Sequence, residues 1–204
     1  MTTHIKTLAF SLTILFAAAI AHQACAAPIA YEGFDYSTFN NRLPGAGEAG
    51  DGWEGAWESG SNPNDTILDP SLTYGKLEVS GGRAQFGAVT FTRDLDQSYN
   101  SGTVYISFLH QHDNPTSGNR WSGLSLIDST DVTRLSAGDT DGNNVVAATI
   151  REGLLDGTGS FEQVSGSDTS NLNFFVMKIE FDQGTTSGNE RVSLFLNPTL
   201  AAEP

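Results

Sequence analysis

Cysteine is almost missing from this 204-residue chain; it occurs once, as Cys25. That residue sits in a leader-like start, so the remainder has no disulfide, no thiolate nucleophile and no cysteine metal site. Basic residues are scarce as well, 10 Lys and Arg against 24 Asp and Glu, for a net charge of −14. Such a surface repels phosphate backbones and anionic headgroups, which argues against nucleic acid or a membrane surface as partner. It suits neutral polysaccharide, divalent cations, or plain solubility outside a cell, and solubility is the simplest of the three. Beyond the first 26 residues there is no long apolar run and no segment that keeps a helical period.

What is present begins with that leader. Lys6 is the only charged residue before Glu32, and Leu8 to Ala21 is a nearly unbroken apolar stretch. Ala24-Cys25-Ala26 then gives a small-x-small cleavage pattern, so residues 1–26 are expected to be a signal peptide cut after Ala26. The stretch falls short of the roughly 20 residues of a membrane span. Acylation of Cys25 is the competing reading, but His22-Gln23-Ala24 lacks the apolar residue such processing uses. Loss of the leader removes Lys6 and takes the net charge to −15. The expected product is a secreted or envelope protein made of one domain, 27–204, long enough to fold unstapled. Nothing in it specifies an oligomer, so a monomer is the default.

Period two recurs along this domain, bounded by Gly, Asn, Asp and Ser clusters, which is the pattern of strands joined by turns. Phe175, Met177, Ile179 and Phe181 alternate with Lys178, Glu180 and Asp182, predicting a strand with one buried and one wet face. Thr103 to Leu109 turns apolar on both faces towards its end and is expected to lie centrally. Arg191 to Leu196 reads as a strand stopped by Asn197-Pro198. Further strands are predicted over 30–34, 76–79, 84–92, 122–127, 132–137 and 144–151. Asp141-Gly142 carries a tight-hairpin signal. The segment from Pro44 to Pro70 is poor in aliphatics and holds Trp53 and Trp57, so it reads as an ordered loop anchored by those rings. Strands at this spacing predict an all-β, two-sheet antiparallel sandwich.

Tyr31-Glu-Gly-Phe-Asp-Tyr36 followed by Gly52-Trp-Glu-Gly-Ala-Trp57 resembles the opening of exported bacterial proteins with a LamG-like, concanavalin A-like sandwich. The likeness continues through Gly102 to Leu109, Val176 to Phe181 and Arg191 to Thr199. Many proteins of that type carry a PEP-CTERM sorting tail. The resemblance implies a jelly roll with a carbohydrate-facing sheet, and it supplies no catalytic residues. Proteins of this type usually continue into one more strand after the Asn-Pro segment, whereas this sequence stops at Pro204 without a sorting tail.

Several clusters could carry chemistry. Laminarinase-like relatives of that fold place carboxylates on alternate strand residues. Glu180 and Asp182 come nearest, but Gly184 occupies the third place, so they read as a wet strand face. No Gly-x-Ser-x-Gly elbow accompanies His110 and His112, the histidines left after the leader, and nothing marks a partner for either. Those two residues are spaced to hold one ion from a strand, with Asp113 near, although strand-end histidines are commonplace. Asp139, Asp141 and Asn143 alternate as oxygen ligands for calcium would, yet a polar turn explains the same residues.

Sugar binding needs an aromatic ring beside planar hydrogen-bonding groups. Asn119, Arg120 and Trp121, flanked by His110, His112 and Tyr105, form the expected cluster. A packing role competes with the platform for Trp121, and the glycines around Trp53 and Trp57 favour anchoring for those rings. The sequence is therefore read as an exported, non-catalytic module binding polysaccharide or cell-surface glycan, needing no cofactor unless calcium sits at the turn. A purely structural envelope protein is the alternative, and a glycosidase-like enzyme the third reading.

Overall fold

The computed structural model of the chain describes residues 28–36, 42–59, 66–77, 79–86, 90–112, 122–128, 130, 132–139, 145–150, 160–181 and 190–199. These residues contain no helix and form β1 (Glu58–Ser59), β2 (Thr66–Leu68), β3 (Arg83–Gln85), β4 (Phe91–Thr92), β5 (Thr103–His110), β6 (Ser122–Ile127), β7 (Thr133–Asp139), β8 (Ala147–Ile150), β9 (Ser160–Gln163), β10 (Asn173–Glu180) and β11 (Arg191–Leu196). Two larger sheets run in the orders β11-β10-β5 and β6-β7-β8-β9, with small pairs β1-β4 and β2-β3 beside them. Every pairing is antiparallel.

The two larger sheets bury a common core, as in a β-sandwich. Phe175, Met177 and Ile179 of β10 meet Leu135 and Ala137 of β7, with Ile106 and Phe108 of β5 and Leu124 and Leu126 of β6 packed around them. Phe108 and Phe175 stack at 4.7 Å between centroids. The expected apolar face of β10 is thus the core face. Its other face is drier than the alternation predicts, because Phe174 and Val176 are also buried. Tyr74 covers Phe174 from outside, with ring centroids 5.4 Å apart.

The strand over Thr103 to Leu109, expected to lie centrally, does not do so among the described residues. Among the described residues β5 pairs with β10 alone, and β10 is the middle strand. β5 exposes Thr103, Tyr105 and Ser107, which suits the side of a sheet, whereas β10 is apolar on both faces over Phe174 to Met177.

Residues 30–34 form no strand, because the Glu32 carboxylate accepts the backbone N–H of Phe34 (2.6 Å) and Phe34 turns to φ 51°. Of the strand expected over 76–79, Lys76, Leu77 and Val79 are not in a strand, Leu77 N–H closing a turn onto Tyr74 O (2.9 Å), and Glu78 lies outside the described residues. The 84–92 run divides into β3 and β4, and β2 rises within the expected early loop. β7 and β8 pair as a hairpin does, while the Asp141-Gly142 turn lies outside the described residues.

A separate small core of Leu43, Ala46 and Ile67 is covered by Phe34, Tyr36, Trp57, Ala84 and Phe91. At its edge the Glu32 carboxylate gathers the Tyr36 hydroxyl, the Trp57 indole N–H (2.8 Å) and the Arg93 guanidinium (2.5 Å). Arg93 also donates to Gly55 O (2.8 Å) and Glu48 O (2.9 Å) and lies 4.7 Å from the centre of the Trp53 ring. Burial, with the Glu32 carboxylate second, pushes the Tyr36 hydroxyl up to about 12, so it keeps its proton and donates.

The end of β11 is set by Asn197, which holds φ 51°. Its side-chain oxygen accepts from Phe174 N–H (2.8 Å) and its amide donates to Asn173 Oδ1 (3.1 Å). Asparagine tolerates this left-handed backbone better than alanine. Asn197→Ala is expected to lose about 2–3 kcal/mol, from two partly buried hydrogen bonds and the backbone penalty. A chemical-denaturation curve checks it; a loss below about 0.5 kcal/mol would mean the cap is idle.

Candidate functional site

β6 and β7 pair with Ser122 opposite Asp139 and Gly123 opposite Gly138. A methyl group on Gly138, at φ 140°, would sit 2.3 Å from Ser122 O, so a glycine is required for the strands to close here. This closure sets Ser122 and Asp139 side by side against the end of β5.

From β5, His110 points into the space between the sheets, opposite Asn173 of β10 and edge-on to the Phe175 ring at 6.0 Å. Its Nε2 lies 2.9 Å from Ser122 Oγ. Among the described residues its Nδ1 meets no hydrogen-bond partner. Burial, with His112 second and Asp139 opposing, lowers its pKa to about 4, so the ring is neutral at pH 7.

His112, just past the strand, donates its backbone N–H to Thr169 O (2.8 Å). Its Nδ1 faces the fully buried Asp139 carboxylate at 3.4 Å, within ion-pair reach but without hydrogen-bond geometry. Thr169 Oγ1 donates to the same carboxylate oxygen at 3.3 Å. Gln111 adds a bond to Ser170 O (3.0 Å). The end of β5 is therefore fastened to the opposite sheet and to the 164–171 segment.

The chemistry open to this cluster is narrow. Ser122 and His110 have a nucleophile–base spacing, yet no described acceptor orients Nδ1, and a base with a pKa of about 4 holds protons weakly at neutral pH. Among the described residues no group of three or more His, Asp or Glu converges as a metal site.

Asp139, the first residue of the expected calcium turn, is turned inward to Thr169 and His112. Asp141 and Asn143 lie outside the described residues, as do Asn119, Arg120 and Trp121, along with Asp113 and Asp182.

The expected sugar cluster is divided by strand parity. Tyr105 and His110 are five residues apart on β5, so they project from opposite faces. The histidines belong to the interior, and Tyr105 stands on the outer face at 40% exposure. Lys178, opposite Tyr105 on β10, holds its amine 5.7 Å from that ring's centre and 3.5 Å from Glu180 Oε1. Arg191 Nε lies 3.9 Å from Glu180 Oε2.

Trp53 and Trp57 take up anchoring positions: Trp57 stacks on Phe34 at 6.0 Å, and Trp53 donates its indole N–H to Tyr31 O (3.0 Å). A shallow hollow of about 300 Å³ lies by Asp168, Asn171, Asn173 and Asn197. Asn173 donates from its amide to Asp168 O and Asn171 O, both at 2.9 Å, and the Asn197 amide donates to Asn173, so these two side chains are engaged within the fold.

Ser122 and Thr169 carry no local signal that would have marked them as partners of the histidines. No protein-family model matches the chain, and no curated protein or solved structure does so either.

Proposed function

We propose that this protein is an exported, non-catalytic β-sandwich module that binds glycan through the outer face of the β11-β10-β5 sheet. The observation that carries the reading is Tyr105: a large ring, 40% exposed, beside the Lys178 amine and the Glu180 carboxylate. A ring of this kind stacks on the apolar face of a pyranose, while neighbouring polar groups take its hydroxyls. The leader-like start supports export, and the two antiparallel sheets support a LamG-like, concanavalin A-like jelly roll. Trp121, Asn119 and Arg120 are kept as candidate sugar contacts in this reading. Calcium is a proposal of lower rank, resting on Asp141 and Asn143.

A purely structural envelope protein is the second reading, favoured by the anchoring roles of Trp53 and Trp57. A glycosidase is less well supported, since Glu180 faces two cations.

Immobilised neutral polysaccharides separate these readings. The mature chain is expected to be retained on at least one of them, and Tyr105→Ala to lose about tenfold in affinity, about 1.4 kcal/mol. Retention on none would remove the glycan reading, and hydrolysis abolished by Glu180→Gln would replace it with the enzyme.

A further inference from the structure

We propose that the face formed by Ile29, Tyr31, Trp53 and Leu95 is a docking surface for a basic, apolar segment of another protein. Ile29, Tyr31 and Leu95 are large apolar side chains exposed by 43%, 50% and 41%. They come from separate stretches of chain, and the structure joins them. Trp53 bridges Leu95 backbone to backbone and reaches Tyr31 O through its indole N–H. Gly52, at φ 87°, lies so close under Ile29 that a methyl group there would stand 2.0 Å from Ile29 O. Further backbone bonds run from Glu54 N–H to Asp94 O and from Asp96 N–H to Gly52 O, both 3.0 Å. The patch is therefore a fixed surface, and a fixed surface binds without a large ordering cost.

Its charge names the occupant. Exposed Glu48, Asp51, Glu54, Asp94 and Asp96 belong to the same stretches. Residues 28–36, 43–59 and 94–102 contain no Lys or Arg. Arg93, whose guanidinium lies 4.7 Å from the centre of the Trp53 ring, is 5% exposed and held by Glu32, so it offers no charge to a partner. An apolar centre within an acidic border attracts a partner with the opposite border, an aromatic or aliphatic anchor flanked by Lys or Arg. A second copy of this chain would bring acidic border against acidic border, and nucleic acid is repelled for the same reason. Tyr105 lies elsewhere, on β5, so this surface is independent of the proposed glycan site.

The test uses the mature chain with a short labelled peptide alternating lysine with phenylalanine. Glutamate–phenylalanine and lysine–serine peptides serve as controls. The lysine–phenylalanine peptide is expected to bind about tenfold tighter than either control, and its affinity to fall as salt rises. Tyr31→Ala combined with Leu95→Ser should lose about tenfold, whereas Tyr105→Ala should lose nothing. Asp51→Asn with Asp96→Asn should flatten the salt dependence while near-ultraviolet dichroism stays native.

Equal binding of the two lysine peptides, or full binding by the Tyr31/Leu95 variant, would mean attraction to bulk charge and overturn the proposal. Displacement of the probe by a neutral oligosaccharide would overturn it in favour of a second sugar surface.

Discussion

Replacing Arg93 with alanine is expected to cost the fold about 3–5 kcal/mol, a large part of the roughly 5–15 kcal/mol that holds a typical domain. The Arg93 and Glu32 side chains are 5% and 13% exposed, so the carboxylate left behind would be almost buried and without its cation. Tyr36 and Trp57 would still donate to it, but neither supplies charge. Arg93→Lys is not expected to rescue, because one guanidinium fork reaches Glu32, Gly55 O and Glu48 O together and a single amine cannot. Glu32→Gln with Arg93→Met removes both charges and should be milder than Arg93→Ala alone, which a double-mutant cycle in urea would read directly. A loss under about 1 kcal/mol for Arg93→Ala would show that this network is solvated and idle.

The second large effect is a loss of stability in acid. His110 has a folded pKa of about 4, below its ordinary 6.5, so between those values the unfolded chain binds a proton that the folded chain refuses. The contribution is therefore complete above about pH 6.5 and is lost as pH falls towards about 4. At roughly 1.4 kcal/mol per unit it amounts to about 3 kcal/mol. Geometry gives the same sign: protonation would put N–H on Nδ1 among Phe175 and its neighbours, where no described acceptor waits. Carboxylates elsewhere also titrate in this window, so the informative quantity is the difference from His110→Gln. That variant should fall less steeply from pH 7 to 4 in urea melts. Parallel curves for the two proteins would contradict the assignment, as would an ordinary titration of the His110 ring followed by NMR.

Much of the sheet framework was legible in the sequence because period two is a local property. β10, β11 and β6 sit where alternation and turn residues put them. The short strands β1, β2 and β9 were not, since two to four residues give no period to read. Residues 30–34 misled because Glu32 supplies an N–H partner that the alternation pattern ignores.

At the candidate site, the odd spacing of Tyr105 and His110 already sets them on opposite faces of a strand. The contact between His110 and Ser122, and that between Asp139 and Thr169, depend on how two sheets meet. Glu32 and Arg93, 61 residues apart, depend likewise on tertiary structure. No spacing rule encodes such pairs.

The arrangement of Trp53 and Trp57 has an optical consequence. Their ring centres are 6.4 Å apart and their planes are inclined by 39°. Two indoles this near and this skewed couple their transition dipoles, splitting the absorption band into circular-dichroism lobes of opposite sign. The folded chain therefore carries a far-ultraviolet signature of its own first loop, separate from the strand signal. It vanishes when either ring swings away, so the assembly of this region can be timed without attaching a label.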